Sequence, residues 1–430
     1  LMKKQNINSI IISPIKMKEI NPLRDLKIFI DNHIQILTTP YFTDFSSNND
    51  TNIAKVVGNI ESIRVEDLLE RPVIDIDTQN VGSILSNNVV MVTGAAGSIG
   101  SEIVRQVAAF NPRIIVLFEM AESPLHDLTV DLYKEFPNQQ FAPIIADIRN
   151  RDIVEEVFEE YHPNIVFHAA AYKHVPLMED FPPQAILANV LGSKNIADMA
   201  IKYKAERFVM VSTDKAVNPT NVMGASKRIA EIYVQSLFLQ KVKDDANCTK
   251  FITTRFGNVL GSNGSVVPYF KKQIAAGGPV TVTHPDIIRY FMTIPEASCL
   301  VLEAATLGNG GEIFCFDMGQ PVKIADLAKN MIRLAGFEPG KDIEIVYTGL
   351  RPGEKLYEEL LNQKEKTIPT KNKKILVAKV REYDYEEVAK QIITLIELAN
   401  EGKVFPTVKL MKLIVPEFKS KNSPYEQLDK

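Results

Sequence analysis

Two short runs in this chain set chemically active side chains at useful spacings. They are Ser212-Thr-Asp-Lys215 and, eight residues past Lys215, Met223-Gly-Ala-Ser-Lys227. A carboxylic acid beside an amine can give one proton and take another, provided both are held out of water. Lys227 lies four residues after Met223, so the two side chains share a helical face. When a nicotinamide oxidises a sugar hydroxyl, a Tyr-x-x-x-Lys pair is expected, with the phenol taking the hydroxyl proton. Met223 stands where that tyrosine would be.

The cofactor such chemistry needs has a place upstream. Thr93-Gly-Ala-Ala-Gly-Ser-Ile-Gly100 follows the apolar run Val89-Val-Met-Val92 and opens a helical stretch. Gly94 and Gly97 allow a tight turn and close approach to a pyrophosphate, while Gly100 lets helix and strand pack. Ala96, Ser98 and Ile99 bring free backbone N–H donors at the helix start. Glu119 follows Gly100 by 19 residues and ends the next apolar run, where its carboxylate would accept from ribose hydroxyls and repel a 2′-phosphate. That favours NAD over NADP. Asp147 and Ile148 fall at the adenine edge, and Ala169, Ala170 and Ala171 are small enough to pass beside the cofactor.

The elements that position these residues are legible as alternation. Apolar runs at 113–118, 141–146, 165–169, 208–212 and 251–255 are separated by helical stretches. The pattern predicts an α/β fold, a Rossmann-type doubly wound parallel sheet over 89–260. A smaller C-terminal substrate-binding lobe is expected mainly over 261–385, where prolines interrupt the pattern (Pro268, Pro279, Pro285, Pro295). One helix over 386–401 and a plain tail to 430 complete the chain. Residues 1–88 read as an N-terminal segment or linker, or as part of a domain. They hold short apolar runs at 10–12 and 28–30, an Asn-rich stretch at 46–52, and a helical period over 64–70 that stops at Pro72.

Composition bounds the rest. The 430 residues exceed one ordinary domain, and 45% hydrophobic with 24% charged residues is the balance of a globular protein. A net charge of −4 leaves no basic excess for nucleic-acid phosphates. Cys248, Cys299 and Cys315 lack metal-ligand spacing and suit a reducing, cytoplasmic compartment, so no metal is expected. No apolar run reaches the ~18 residues that span a bilayer. The chain starts at Leu1, and the expectation is a soluble fragment of a longer parent, which could be anchored on the cytoplasmic face of a membrane.

The spacing Gly-x-x-Gly-x-x-Gly resembles the extended short-chain dehydrogenase/reductase family. Within it, His168-Ala-Ala-Ala-Tyr-Lys-His-Val-Pro-Leu-Met-Glu179, Ser212-Thr-Asp-Lys-Ala-Val-Asn-Pro219, Arg255-Phe-Gly-Asn-Val-Leu-Gly-Ser-Asn263 and Arg351-Pro-Gly-Glu-Lys355 resemble nucleotide-sugar 4,6-dehydratases of bacterial polysaccharide and glycan biosynthesis. Met223 matches the subgroup that the resemblance associates with UDP-N-acetylglucosamine and retained configuration at C5. The implied reaction oxidises C4 with NAD, eliminates water across C5 and C6, and returns the hydride to C6.

The resemblance assigns Asp214 as the acid at C6 and Lys215 as the base at C5, with Lys227 on the nicotinamide ribose. Asp214 is then expected protonated and Lys215 neutral, both by burial. Thr213 would hydrogen-bond the C4 hydroxyl; Asp214, a water, or a relay through the ribose and Lys227 could take its proton. The motifs place Asn189, Arg255, Asn258, Val259, Ser265, Arg289, Arg351 and Glu354 around the nucleotide diphosphate, and Lys173, His174 and Glu179 near the sugar, with Tyr172 shaping that pocket. A homodimer or higher homo-oligomer through paired helices, one carrying Lys227, is also implied. Competing readings are a C5-inverting dehydratase, a UDP-hexose 4-epimerase and an NAD-sensing regulatory protein.

Overall fold

Val89–Thr93 (β1) is apolar at four of its five residues and buried at all five, as a strand needs when both faces of its sheet are covered. Its alternate residues divide between two cores. Val89 and Met91 pack on one side with Phe208, Met210 and Phe251, and Val90 and Val92 on the other with Phe167, Val209 and Ile252. The computed structural model describes residues 9–12, 35–38, 61–62, 77–359 and 366–429. The expected helix at 64–70, the run at 28–30 and the Asn-rich stretch lie outside them. Of the N-terminal region, Ser9–Ile12 pairs parallel with Gln35–Thr38, which pairs antiparallel with Glu61–Ser62.

The sheet containing β1 has nine strands. The others are Ile114–Glu119 (β2), Phe141–Ile145 (β3), Ile165–His168 (β4), Arg207–Thr213 (β5), Lys250–Phe256 (β6), Ile313–Phe316 (β7), Lys366–Pro369 (β8) and Ile375–Lys379 (β9). Their order is β8-β9-β7-β6-β5-β4-β1-β2-β3. Pairings from β3 through β7 are parallel, and β9 joins β7 antiparallel. The chain order reverses between β1 and β4. Open parallel sheets bind ligands at such a reversal, beyond the carboxyl ends of the strands.

Helices cover both faces, in keeping with the expected doubly wound sheet. One face carries Thr78–Leu85 (α1), Ser98–Ala108 (α2), Glu122–Glu135 (α3) and Ile294–Leu307, while Arg151–Tyr161, Gly192–Lys202 and Val222–Asp244 (α4) cover the other. Tyr385–Asn400 (α5) and Val404–Ile414 (α6) pack onto α4.

Two expectations change here. The tail after residue 401 is not plain: it holds α6 and a short turn at Pro424–Leu428. The sheet also does not end near residue 260, because β7, β8 and β9 extend it. Contacts group the described residues within 74–259, 289–321 and 350–430 as one unit, and those within 1–73, 260–288 and 322–349 as another. Within the smaller unit, Val280–Val282 pairs parallel with Ile345–Tyr347 beside Val266–Ala275 and Ile324–Leu334. Among the described residues no helix is long and apolar enough to cross a membrane, and no cluster of metal-ligating side chains occurs.

Candidate active site

The glycine turn after β1 is required by sterics at two of its three glycines. Gly94 has φ +66°, and a Cβ there would meet the Ala170 nitrogen at 2.7 Å; a Cβ on Gly100 would sit 2.0 Å from the Gly94 carbonyl oxygen. The turn is therefore pressed against Ala169 and Ala170 at the end of β4. Gly97 caps α2 without a side-chain hydrogen bond, so the first amides, Ser98 and Ile99 among them, stay with the backbone arrangement that binds phosphates.

Glu119 ends β2 beside this turn. Its Oε2 accepts from the Ala96 N–H at 3.2 Å, and its Oε1 from those of Met120 and Ala121 at 2.9 and 3.1 Å. The carboxylate is thus fixed next to the phosphate turn, where ribose hydroxyls would fall. Asp147 is gripped by Arg149 through Nε and Nη2 at 2.8 and 2.6 Å. Burial alone would raise the Asp147 carboxyl, but the Arg149 hydrogen bonds and charge outweigh it and hold the group below its usual range. Ile148 is buried beside it. These residues fit an adenine dinucleotide: a cradle that a Cβ would fill, amide donors for phosphates, and a fixed acceptor. Glu119→Ala is expected to weaken NAD binding about tenfold (~1.4 kcal/mol) and to narrow the preference over NADP. Fluorescence titration with both dinucleotides measures it.

Beneath the turn lies a buried relay. Ser193 Oγ donates to the Asn189 carbonyl at 2.7 Å and sits 2.9 Å from His168 Nε2; His168 Nδ1 is 2.7 Å from Thr93 Oγ1. Since the serine proton is committed, Nε2 donates and Nδ1 accepts from Thr93. Burial, with some help from the Lys227 charge, lowers His168 to about 3, so the ring stays neutral and structural.

At the carboxyl end of β5, Asp214–Ala216 forms a single tight turn. Thr213 Oγ1 donates to Asp214 Oδ1 at 2.9 Å, and Lys215 Nζ donates to the same oxygen at 3.0 Å and to Asn258 Oδ1 at 3.2 Å. Asp214 is 1% exposed, and its Oδ2 is buried without a hydrogen-bond partner among the described residues. Asn221 caps α4 through Gly224 N–H, and a Cβ on Gly224 would meet the Lys215 carbonyl at 2.1 Å. Only glycine lets the helix bearing Met223 and Lys227 start this close to the Asp214 turn. Met223 and Lys227 are both buried there. Burial, partly offset by the Glu231 carboxylate, pulls Lys227 down to about 8.

The expectation of a neutral Lys215 is corrected. Burial does lower its proton affinity, but the charges of Asp214 and then Glu358 outweigh that, and Lys215 lies above the ordinary lysine value. Glu358 Oε1 is 3.7 Å from Lys215 Nζ and 3.9 Å from Arg289 Nη2. Arg289 also reaches Glu354 Oε1 at 3.3 Å and the Leu356 carbonyl at 3.2 Å. The stretch from Arg351 to Glu358 therefore brings Glu354 to Arg289 and Glu358 to Lys215. Gly353 (φ +76°) enables this: its carbonyl accepts from Thr220 Oγ1 and Asn221 Nδ2, and a Cβ would lie 2.4 Å from Asn221 Cβ. Arg351 is exposed; its backbone N–H donates to Glu354 Oε2 and its carbonyl accepts from the Glu354 N–H, both at 3.1 Å.

Other expected ligand residues are committed within the chain. Arg255 is 1% exposed and grips Glu231 with Nε at 2.9 Å and Nη2 at 2.7 Å, because two buried charges need each other more than either needs solvent. Asn189 uses its amide on both backbone groups of Tyr172 and on Ser226 Oγ. Glu179 accepts from Val222 N–H at 2.6 Å and Ser423 Oγ at 2.7 Å, tying the chain's end to the start of α4. All three are buried, with these side-chain groups engaged inside the chain. Lys173 and His174 are exposed on the loop after β4. Val259 pairs with Met292, and Ser265 belongs to the smaller unit as the N-cap of Val266–Ala275. The helix expected to pair with a second copy is instead buried from Val222 to Phe238, packed by α5 and α6 of its own chain.

A family model described as polysaccharide biosynthesis protein matches residues 90–380. The capsular polysaccharide biosynthesis protein CapD of Staphylococcus aureus is 49% identical over 391 residues, covering 90% of this chain and 63% of CapD. The chain thus spans less than two thirds of that relative's length. A UDP-glucose 4-epimerase of Rickettsia canadensis is 36% identical, over 64% of this chain and 78% of its own. Among solved structures, Pen from Bacillus thuringiensis superposes with a TM-score of 0.63 at 31% identity, over 72% of this chain and 99% of Pen.

Proposed function

Because the chain belongs to the polysaccharide biosynthesis protein family, we propose that it binds NAD and dehydrates a UDP-N-acetylhexosamine, UDP-N-acetylglucosamine first, to the 4-keto-6-deoxy sugar with C5 configuration retained. The observation that carries this is the Asp214–Lys215 pair at 3.0 Å, its Asp214 buried and its Lys215 partly so, set at the end of β5. NAD, when bound, supplies the hydride acceptor for C4 and the donor for C6. Gly94 to Gly100 and Glu119 would hold it, and Lys227 would orient its ribose.

Thr213 would hydrogen-bond the C4 hydroxyl. The pair then has the protons elimination needs. An ionised Asp214 beside a charged Lys215 holds as many protons as a protonated Asp214 beside a neutral Lys215. Moving one proton across the 3.0 Å contact from Nζ to Oδ1 makes the acid for the C6 oxygen and the base for the C5 hydrogen. The diphosphate would meet Arg289 and Arg351.

A 4-epimerase is the second reading, favoured by the Rickettsia relative. It needs proton traffic only at the C4 oxygen, which leaves the Asp214–Lys215 pair without a task. Incubating the chain with NAD and UDP-N-acetylglucosamine, followed by proton NMR, separates the readings. A new C6 methyl signal is expected; inversion at C4 with the hydroxymethyl intact would mean epimerase, and an inverted C5 would mean the inverting dehydratase. A cytoplasmic site of action and a homo-oligomer are part of the proposal. The oligomer would use a surface other than α4, and a monomeric sedimentation mass would remove it.

A further inference from the structure

Glu358 lies four residues past Glu354 and carries no recognisable motif of its own. Its side chain is nearly closed to solvent, with Oε1 3.7 Å from Lys215 Nζ and 3.9 Å from Arg289 Nη2. Its Oε2 is buried with no hydrogen-bond partner among the described residues, as is Asp214 Oδ2. Two buried carboxylates thus flank one lysine, and each keeps an oxygen uncommitted. A carboxylate is costly to bury without partners, so a surface-type ion pair does not explain this placement.

The groups facing Lys215 can be named from each element. Asp214 comes from its own turn and the neutral Asn258 from the segment after β6, while Arg289 and Glu358 come from elsewhere in the chain. Glu354 is turned to Arg289, and Lys355 to the Val217 carbonyl. Glu358 is therefore the one acid besides Asp214 that these contacts bring to Lys215. Its neighbour Arg289 partly neutralises it, which fits a distance longer than a hydrogen bond.

We infer that Glu358 is a positioning residue for the Asp214–Lys215 pair: it keeps the Lys215 ammonium charged and seated on Asp214, and so sets the pH range in which the pair works. The direction in which Lys215 is displaced agrees, since Glu358 contributes to raising it. This inference uses the dehydratase reading for the pair's task, but not for the effect of Glu358 on Lys215.

The test has two arms. Lysine labelled with carbon-13 at Cε lets the Lys215 titration be followed by NMR without turnover, its signal assigned by loss in Lys215→Met. Glu358→Gln is expected to move the Lys215 midpoint toward acid by about one pH unit, as removal of an opposite charge at this range does. Glu358→Asp should recover part of the shift and serves if the glutamine variant does not fold. In the second arm, the pH–rate limb for dehydration should move by the same amount, with kcat changed more than KM. A Lys215 midpoint unmoved in both variants overturns the inference. A moved midpoint in a chain that forms no 4-keto-6-deoxy sugar upholds Glu358 and overturns the reaction assigned to the pair.

Discussion

Lys215→Met and Asp214→Asn are each expected to leave the first half of the reaction running and stop the second. Hydride removal at C4 uses Thr213 and the cofactor pocket, and neither substitution touches Gly94, Gly100 or Glu119 at the other strand ends. Elimination uses the pair, because the C5 hydrogen and the C6 hydroxyl need a base and an acid at once. Turnover should fall by about 10²–10⁴-fold, the usual range for losing a positioned acid or base. Mixing either variant with NAD and UDP-sugar should give NADH absorbance that persists while no product appears. The double variant should be scarcely worse than either single one, since two groups exchanging one proton act as a unit. If neither variant ever reduces NAD, the pair acts at the C4 hydroxyl instead, and the open question of which group takes that proton would be answered.

The contrast between these two halves matches what the sequence revealed. The phosphate turn could be read because its spacing is local: Gly94, Gly97 and Gly100 lie within seven residues, and the clash that demands glycine at 100 is with the Gly94 carbonyl inside that span, although Gly94 itself is pressed against the distant Ala170. The Asp214–Lys215 pair was legible for the same reason, being adjacent residues at a strand end. The charge on Lys215 was not legible. It depends on Asp214 next to it and, after that, on Glu358, 143 residues further on, which reaches the site because Gly353 seats its segment on Asn221. Burial alone argued for a neutral lysine; the charge of Asp214 opposes that, and the further contribution of Glu358 had no local signal.

The C-terminal part shows the same limit. Glu179 stood in a recognisable motif, yet its partners are Val222 and Ser423, the second 244 residues away. The helices α5 and α6 pack onto α4, the helix through which a dimer was expected. The composition of α4 gave partial warning. Its residues from Val222 to Phe238 are buried on every side, so polar groups such as Ser226, Glu231 and Gln235 had to find partners within the chain.

Glu231→Ala is expected to be the most destabilising single change in the site's support. Glu231 is fully buried and serves three groups: Arg255 by two hydrogen bonds, Arg228 Nη1 at 3.1 Å, and Ser212 Oγ at 2.6 Å. Burial would raise its carboxyl, but the two arginines dominate and hold it down at about 2. Removing it takes from the buried Arg255 guanidinium the carboxylate it grips, while Arg228 keeps Glu417 Oε1 at 3.3 Å; breaking such a buried pair costs about 3–5 kcal/mol, or a melting temperature lower on the order of 10 °C. The sign with pH follows from the lowered value. An unfolded glutamate titrates near ~4.3, so the native ion pair contributes in full above that pH and is lost as pH falls toward about 2. The stability gap between wild type and Glu231→Ala should therefore close on acidification through that window, as calorimetry can record. Replacing Glu231 and Arg255 together with Leu and Met should recover much of the loss, because an apolar pair needs no compensation. That double variant also decides the role of Arg255. With Arg255 acting only behind the site, KM for the UDP-sugar should stay within about threefold of wild type, whereas a diphosphate contact would raise it by orders of magnitude even in a chain whose melting temperature is restored.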